Sequence, residues 1–358
     1  MKAIAVTPGK SNSARLIDMP KPELKPNEVM VKTIRVGIDG TDREINEAQY
    51  GLAPIKQDFL VLGHEALGKV VEIGTEIKDF NLQKGDIVVP LVRRPDDCPY
   101  CQKDIQDMCI KGDYTERGIK GYHGYLSEFF TEIPKYLVKI PKEIEDIAVL
   151  LEPLSIVEKG IRQAWSIQRR ILWEPKNAVV LGLGAIGILA CLVLKTLNVR
   201  VYAYSMEQGS DPKVTLIKEA GVDYISAKDK DIFELPSIIG GNIDFILEAT
   251  GNSSIALKAM SLIGLNGILC LTSVTGGQNK VTICADCLNL DLVLGNKVIF
   301  GSVNANKIDF EKGVEHLTFY NTHYPGLLNR LITNKFKVNE FKEALEEFRG
   351  LKAVIEFD

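Results

Sequence analysis

The sequence predicts an α/β protein in two parts, a β-rich first part and then a doubly wound parallel sheet. Three observations carry this. The chain has 358 residues, too long for one ordinary core. Its first third is made of short Val- and Ile-rich runs broken by Pro20, Pro22, Pro26, Gly74, Gly85 and Pro90. Beyond Pro175 short apolar runs alternate with helical stretches, which implies crossovers between parallel strands.

In order, strands are expected at 1–6, 28–36, 68–74 and 86–92, forming an irregular, mostly antiparallel domain with its sites on loops. Six further strands follow at 178–181, 199–204, 223–225, 244–248, 267–271 and 297–301, with helices between them at 185–197 and 252–263. After Asn304 the pattern changes again. Amphipathic helices are expected at 309–320 and 339–348 and a final strand at 353–357. The domains are drawn at 1–175, 176–303 and 304–358.

Composition excludes several classes. Apolar residues make up 46% and charged residues 25%, the net charge is −4, and no basic stripe suggests nucleic acid. No apolar run approaches the ~20 residues of a membrane span. The start reads directly as a strand without a signal peptide, so a cytoplasmic protein is expected. Of seven cysteines, three cluster within a short stretch, which favours a metal over a disulfide framework.

Gly182, Gly184 and Gly187 follow an apolar strand and open a helix, with Ala185 and Ile186 between them. The first glycine permits a tight turn, the second lets backbone approach a pyrophosphate, and the third lets helix and strand pack closely. The phosphates would sit at the helix N-terminus. Cofactor choice is set at the end of the second strand, where an acid favours NAD and an arginine NADP. That stretch reads Ser205-Met206-Glu207, with Lys213 the nearest cation. Glu207 is either the ribose acid or a solvated loop carboxylate.

Asp39, between Gly37 and Gly40, falls in a turn after a strand. His64 and Glu65 follow the apolar run 59–62, and Glu152 is embedded in Leu150-Leu151-Glu152-Pro153-Leu154. A carboxylate there is costly to bury without a partner, and a metal would be one. Singly, each has a plainer explanation: a turn former, a core histidine, an acid at a helix start. A second cluster holds Cys98, Cys101 and Cys109, which could close a tetrahedral zinc site with Asp104 or Asp113 as fourth ligand. Cys284 and Cys287 also form a CxxC, read as packing in a Leu- and Val-rich segment. Cys191 and Cys270 fall on apolar elements and read as core.

Together these residues resemble the zinc-containing medium-chain dehydrogenase superfamily, and within it the archaeal glucose 1-dehydrogenase family. The stretches that carry the resemblance are 37–44, 59–66, 89–95, 116–119, 122–125, 135–141, 152–155 and 301–304. The paired Arg93 and Arg94 after a Val-Pro strand, and Gly301-Ser-Val-Asn304, are its most specific parts. The resemblance implies a GroES-like catalytic domain, a Rossmann domain, a C-terminal return to the catalytic domain, an active site in the cleft between them, and a homotetramer or homodimer. It implies oxidation of glucose, and of related aldoses, at C1 to the lactone.

Asp39, His64 and Glu152 would then be catalytic zinc ligands with Glu65 close enough to exchange, and Thr41 the hydroxyl that relays the substrate proton. Glu116, Asn304, Thr41 and Glu152 would meet the sugar. Ser205, Glu207, Thr250 and Asn304 would join the glycine turn in holding NAD or NADP. Asp39 stands where cysteine is more usual, which makes the site harder and the zinc more labile; a halophilic branch shares that change. Val92 and Ile156 stand where some members carry a sugar-binding asparagine and an aspartate. The stretch 205–207 replaces one that carries arginines in NADP-preferring members, which points to NAD or dual use.

Two other readings stand beside this one. A polyol or alcohol dehydrogenase of the same superfamily would share zinc and turn and differ in its sugar-facing residues. A metal-free nucleotide-binding sensor would carry no metal at all.

Overall fold

The computed structural model describes residues 1–78, 81–347 and 350–357. The chain divides into two compact units, one of residues 1–155 with 304–358 and one of residues 156–303. The division falls within the helix Leu151–Gln168, not at residue 175 where the sequence pattern changes. That change marks the first parallel strand, whereas the helix before it already counts with the second unit.

The first unit is built on a seven-stranded sheet. Its main path runs Leu137–Ile140, Ile87–Pro90, Glu65–Ile73, Val29–Ile38, Lys352–Glu356, Ile332–Lys337, and Phe129–Glu132 also pairs with Val29–Ile38. Val31, Val36, Ile38, Leu62, Tyr125 and Phe130 lie in its core. The late strand Lys352–Glu356 is an interior strand here, antiparallel to Val29–Ile38 and parallel to the edge strand Ile332–Lys337. The expected tail helix at 339–348 is present but irregular, a 3-10 turn at Val338–Glu340 running through 341–342 into a π-helical turn at Glu343–Glu347. Phe341, Ala344 and Leu345 pack into the core from this segment, and their spacing is what reads as helical in the sequence. Residue 348 lies outside the described residues.

The second unit is a six-stranded parallel sheet. Its strands are Asn177–Leu181, Arg200–Ser205, Asp223–Ser226, Phe245–Glu248, Ile268–Leu271 and Val298–Gly301. In chain order they lie 3-2-1-4-5-6, the doubly wound arrangement with its reversal beside the first strand. Apolar residues on both faces of the central strands suit a sheet covered by helices on both sides. Asn177–Leu181 feeds the turn that opens the helix Ala185–Thr196. Gly182 has φ +98°, and a Cβ there would come within 2.7 Å of the Ala249 carbonyl oxygen. A Cβ on Gly187 would lie 2.0 Å from the Gly182 carbonyl oxygen. Both glycines are therefore steric requirements of the turn.

One expectation fails in this unit. Cys284 and Cys287 are not packing residues: they form a disulfide at the start of the helix Ala285–Leu294, none of whose residues is buried. Apolar composition suggested burial, but the helix lies at the surface. Among the described residues no helix is long and apolar enough to cross a membrane.

Gly187→Ala should push helix and strand apart at the turn, costing about 1–3 kcal/mol of packing. A lowered melting temperature together with weakened cofactor binding is expected. A variant that melts and binds like the parent would remove the steric role given to Gly187.

Candidate active site and cysteine cluster

The site in the first unit is assembled by strand ends. Val29–Ile38 delivers Asp39 as the N-cap of the short helix Gly40–Asn46. The Asp39 carboxylate accepts from the Asp42 N–H at 3.2 Å, and Asp42 accepts from the Asp39 N–H at 3.2 Å, a closed capping box. Thr41 Oγ1 donates to Asp39 Oδ2 at 3.2 Å. Asp42 also accepts from the Gly63 N–H at 3.1 Å, which ties this helix to the residue before His64.

His64 is buried, with Nε2 3.5 Å from Asp39 Oδ2 and Nδ1 3.9 Å from Asp42 Oδ1. Nδ1 has no hydrogen-bond partner. The next residue, Glu65, opens the strand Glu65–Ile73 and stands opposite Gly37. A Cβ on Gly37 would lie 2.0 Å from Glu65 Oε2. The Glu65 side chain thus crosses the bare backbone of Gly37 to reach the strand beyond, where Lys352 Nζ holds its two oxygens at 2.6 and 2.7 Å. Both members of this ion pair are buried.

Glu152, in the first turn of Leu151–Gln168, is also buried. Ligand atoms of His64, Glu65 and Glu152 lie within 4.8 Å of one another, as do those of Asp39, Asp42 and His64. The sequence-predicted residues are thus brought together with His64 as the shared member. Asp42 and Lys352 are additions that the sequence reading missed. Glu65 lies beside His64 and Glu152, where it was expected, with Lys352 holding its carboxylate.

Burial drives the electrostatics. It pushes Glu152 up to about 8, and Glu65 and Asp39 add to this while His64 opposes it. Burial likewise raises Asp42 to about 7, with His64 opposing and Asp39 adding. Burial works against a charged His64, but Asp39 and the other acids hold its imidazole well above the usual range. Burial also opposes ionised Asp39, yet the adjoining His64 keeps that carboxyl below the ordinary value. A divalent cation fits this set of residues. Carboxylate and imidazole donors suit zinc, the acids outnumber the cations named here, and a buried imidazole nitrogen lacks a partner.

The second cluster is corrected by the structure. Asp96, not Asp104 or Asp113, joins Cys98, Cys101 and Cys109. The Cys109 thiol donates to Asp96 Oδ2 at 2.9 Å, and Cys98 Sγ is 3.8 Å from Cys109 Sγ. Asp104 instead pairs with Lys135 at 3.1 Å and Asp113 with Lys111 at 3.1 Å. Asp113 contributes its backbone N–H to Asp96, at 3.1 Å. Cys101 opens the 3-10 turn Cys101–Lys103, Cys109 follows the 3-10 turn Gln106–Met108, and the loop 96–98 curls back so that the Asp96 carboxylate also accepts from the Cys98 N–H at 2.9 Å. Three sulfurs and one carboxylate can close a tetrahedral site.

Glu116 and Asn304, both in the first unit, are joined directly. Asn304 Nδ2 donates to Glu116 Oε1 at 3.0 Å, and Arg93 grips the same oxygen at 2.9 and 3.0 Å. In the second unit Glu207 is half-buried and partnered. Ser205 Oγ donates to its carboxylate, Lys213 Nζ lies 2.9 Å away, and the Tyr224 hydroxyl donates to its carbonyl oxygen at 2.6 Å. Beside it is a hollow of about 380 Å³ lined by Met206, Glu207, Gln208, Ser210, Asp211 and Lys228. Thr250 lies next to Gly182, with its N–H and hydroxyl donating to the buried Glu248 carboxylate. Gly184 caps the helix Ala185–Thr196 without a side-chain bond, which leaves N–H groups open toward a phosphate.

Two outcomes follow from the buried charges. Glu152, Asp42 and His64 hold protons in the folded chain to higher pH than when unfolded, so the metal-free protein binds more protons folded than unfolded across this range. Its stability should fall as pH rises from about 5 to 8. Melting of metal-free protein across that range checks this, and added Zn²⁺ should flatten the decline. Lys352→Met leaves Glu65 buried and unpaired, which should cost about 3–5 kcal/mol in denaturant unfolding, with Lys352→Arg recovering most of it. A Met variant as stable as the parent would deny the pair its structural role.

Comparison with known proteins agrees with this architecture. Residues 25–142 match the alcohol dehydrogenase GroES-like domain, and residues 145–357 match the family described as glucose dehydrogenase C-terminus. A glucose 1-dehydrogenase of Methanocella arvoryzae is 43% identical over 99% of each chain. One from Thermoproteus tenax is 40% identical over 96% of this chain and 95% of its own. The solved Haloferax mediterranei glucose dehydrogenase in complex with NADP, Zn and gluconolactone superposes with a TM-score of 0.90 at 36% identity, covering 100% of this chain and 99% of that one. A family match across more than half the chain and full-length relatives well above 30% identity make the assignment: this chain belongs to the glucose dehydrogenase family, built on the GroES-like and Rossmann domains of the zinc-containing medium-chain dehydrogenases.

Proposed function

We propose that this chain oxidises D-glucose, and related aldoses, at C1 to the lactone, passing hydride to NAD or NADP with Zn²⁺ in the site. The observation that carries this is the buried His64 ringed by Asp39, Asp42, Glu65 and Glu152, with the Thr41 hydroxyl on Asp39. It occurs on a chain that also builds the glycine turn for a dinucleotide. The full-length likeness to a glucose dehydrogenase bound to NADP, Zn and gluconolactone supports the substrate, because gluconolactone is what C1 oxidation of glucose yields.

Asp39, His64 and Glu152 would hold the zinc, with Glu65 kept close by Lys352. When bound, zinc supplies a Lewis acid that lowers the pKa of a sugar hydroxyl. Thr41 Oγ1 would take the proton leaving the C1 hydroxyl and pass it outward. The C1 hydrogen leaves with its electron pair to the nicotinamide C4, and the lactone carbonyl forms. Glu116 and Asn304, already bonded to each other and fixed by Arg93, would orient the sugar hydroxyls. Gly182, Gly184, Ala185, Ile186 and Gly187 would cradle the pyrophosphate, with Thr250 beside them. Glu207 would meet the adenosine ribose. Lys213 already neutralises it, so a 2′-phosphate is tolerated and dual cofactor use follows. Asp96, Cys98, Cys101 and Cys109 would hold a second zinc that fixes their loop. We also propose that the enzyme works in the cytoplasm, and that it assembles as a homodimer or homotetramer, as the resemblance implies.

The test is the initial rate of reduced-cofactor formation with D-glucose, with NAD and NADP separately, before and after chelation. A glucose-dependent rate that chelation abolishes and Zn²⁺ restores is expected with both cofactors. A rate only with polyols or simple alcohols would move the substrate. Equal rates with and without bound metal would overturn the role given to the His64 cluster.

A further inference from the structure

We propose that Cys284 and Cys287 form a reversible thiol–disulfide exchange site that takes a dithiol as its reductant. The other five cysteines are differently placed. Cys98, Cys101 and Cys109 are gathered around Asp96. Cys191 and Cys270 are buried, and burial pushes both thiols up, Cys270 to about 12, which leaves them inert. Cys284 and Cys287 alone among these seven are bridged, and both are exposed at the surface.

Their position favours exchange over permanent cross-linking. The bridge spans a sequence separation of only 3, so it removes little freedom from the unfolded chain and adds little stability. A staple with so little to staple has no evident structural purpose. Exposed bridges are also the ones that external thiols reach and reduce. Cys284 is the N-cap of the ten-residue helix Ala285–Leu294, and its Sγ accepts from the Cys287 N–H at 3.4 Å. Open N–H groups and the helix dipole favour an anion there, so a reduced Cys284 is stabilised as the thiolate. Asp286 in the same turn opposes this in part.

The step balances without any group of the active site. A thiolate of the external dithiol attacks Cys287 Sγ, and the S–S electron pair leaves on Cys284, the better leaving group. The second thiol of the reductant then displaces Cys287 from the mixed disulfide. Two electrons and two protons pass from the dithiol to the protein pair, and the reductant is left as its own disulfide. In a reducing compartment, bridges of this kind are transient and respond to redox poise.

The full chain, loaded with Zn²⁺, is equilibrated in mixtures of reduced and oxidised dithiothreitol, quenched in acid, alkylated and mapped by peptide mass. The peptide carrying Cys284 and Cys287 should pass reversibly between bridged and doubly alkylated forms while the protein stays folded by circular dichroism. In a second measurement Cys287→Ser should react with an aromatic disulfide reagent at pH 7 at least about fivefold faster than Cys284→Ser, because only the former keeps the thiolate at the helix start. A pair that stays as thiols in oxidising mixtures, a bridge that yields only on unfolding, or equal rates for the two single variants would each overturn the proposal. Glucose oxidation is a separate readout, so failure here leaves the proposed function standing.

Discussion

The buried ion pair between Glu65 and Lys352 is the contact on which the geometry of the first unit turns. Asp39, Asp42, Glu65 and Glu152 all crowd one imidazole, and all of them but Asp39 are buried. Carboxylates at such spacing repel one another, and burial penalises each of them. Lys352 answers one of them directly, with both oxygens engaged. Its position also explains a residue with no side chain: Gly37 must stay bare because the Glu65 carboxylate passes over it. Strand register, a glycine and a lysine more than three hundred residues from it are therefore one arrangement.

The two units solve different problems with the same economy of backbone. In the second, glycines clear space so that a carbonyl and a helix start approach closely, and N–H groups at that start are left without a side-chain cap. In the first, strand ends and one short helix aim side chains, and charge provides the chemistry. Asp39 shows the link between local and chemical roles. As an N-cap it satisfies the helix it begins, and as a carboxylate it faces His64. Its hydrogen bond from Thr41 couples the same oxygen to a hydroxyl able to move a proton.

The parallel sheet was legible in the sequence because its signal is local. Each strand is a short apolar run with its own punctuation, and Gly182, Gly184 and Gly187 mark the turn at fixed spacing. Asp39, His64, Glu65 and Glu152 could be nominated as a group only through resemblance, since their meeting depends on strand register. Lys352 escaped notice because a lone lysine at the head of Lys-Ala-Val-Ile-Glu reads as an edge or solvent charge, and nothing nearby in the chain names its partner. Asp96 was passed over because five acids flank the three cysteines, and only loop closure selects among them. Apolar composition misled at Cys284 and Cys287, because burial there depends on what covers the helix and not on its residues.

The strand that carries Lys352 is joined to Glu65 across a sequence separation of 287 residues. On the ribosome the whole nucleotide-binding unit emerges between the two. The early strands can pair among themselves as they appear, but the slot beside Val29–Ile38 stays open and Glu65 stays without its counter-charge until the late strand arrives. A nascent chain therefore has its parallel sheet before the acid cluster around His64 is finished, and a cation captured early would meet a cluster whose charge and geometry are not yet those of the folded chain.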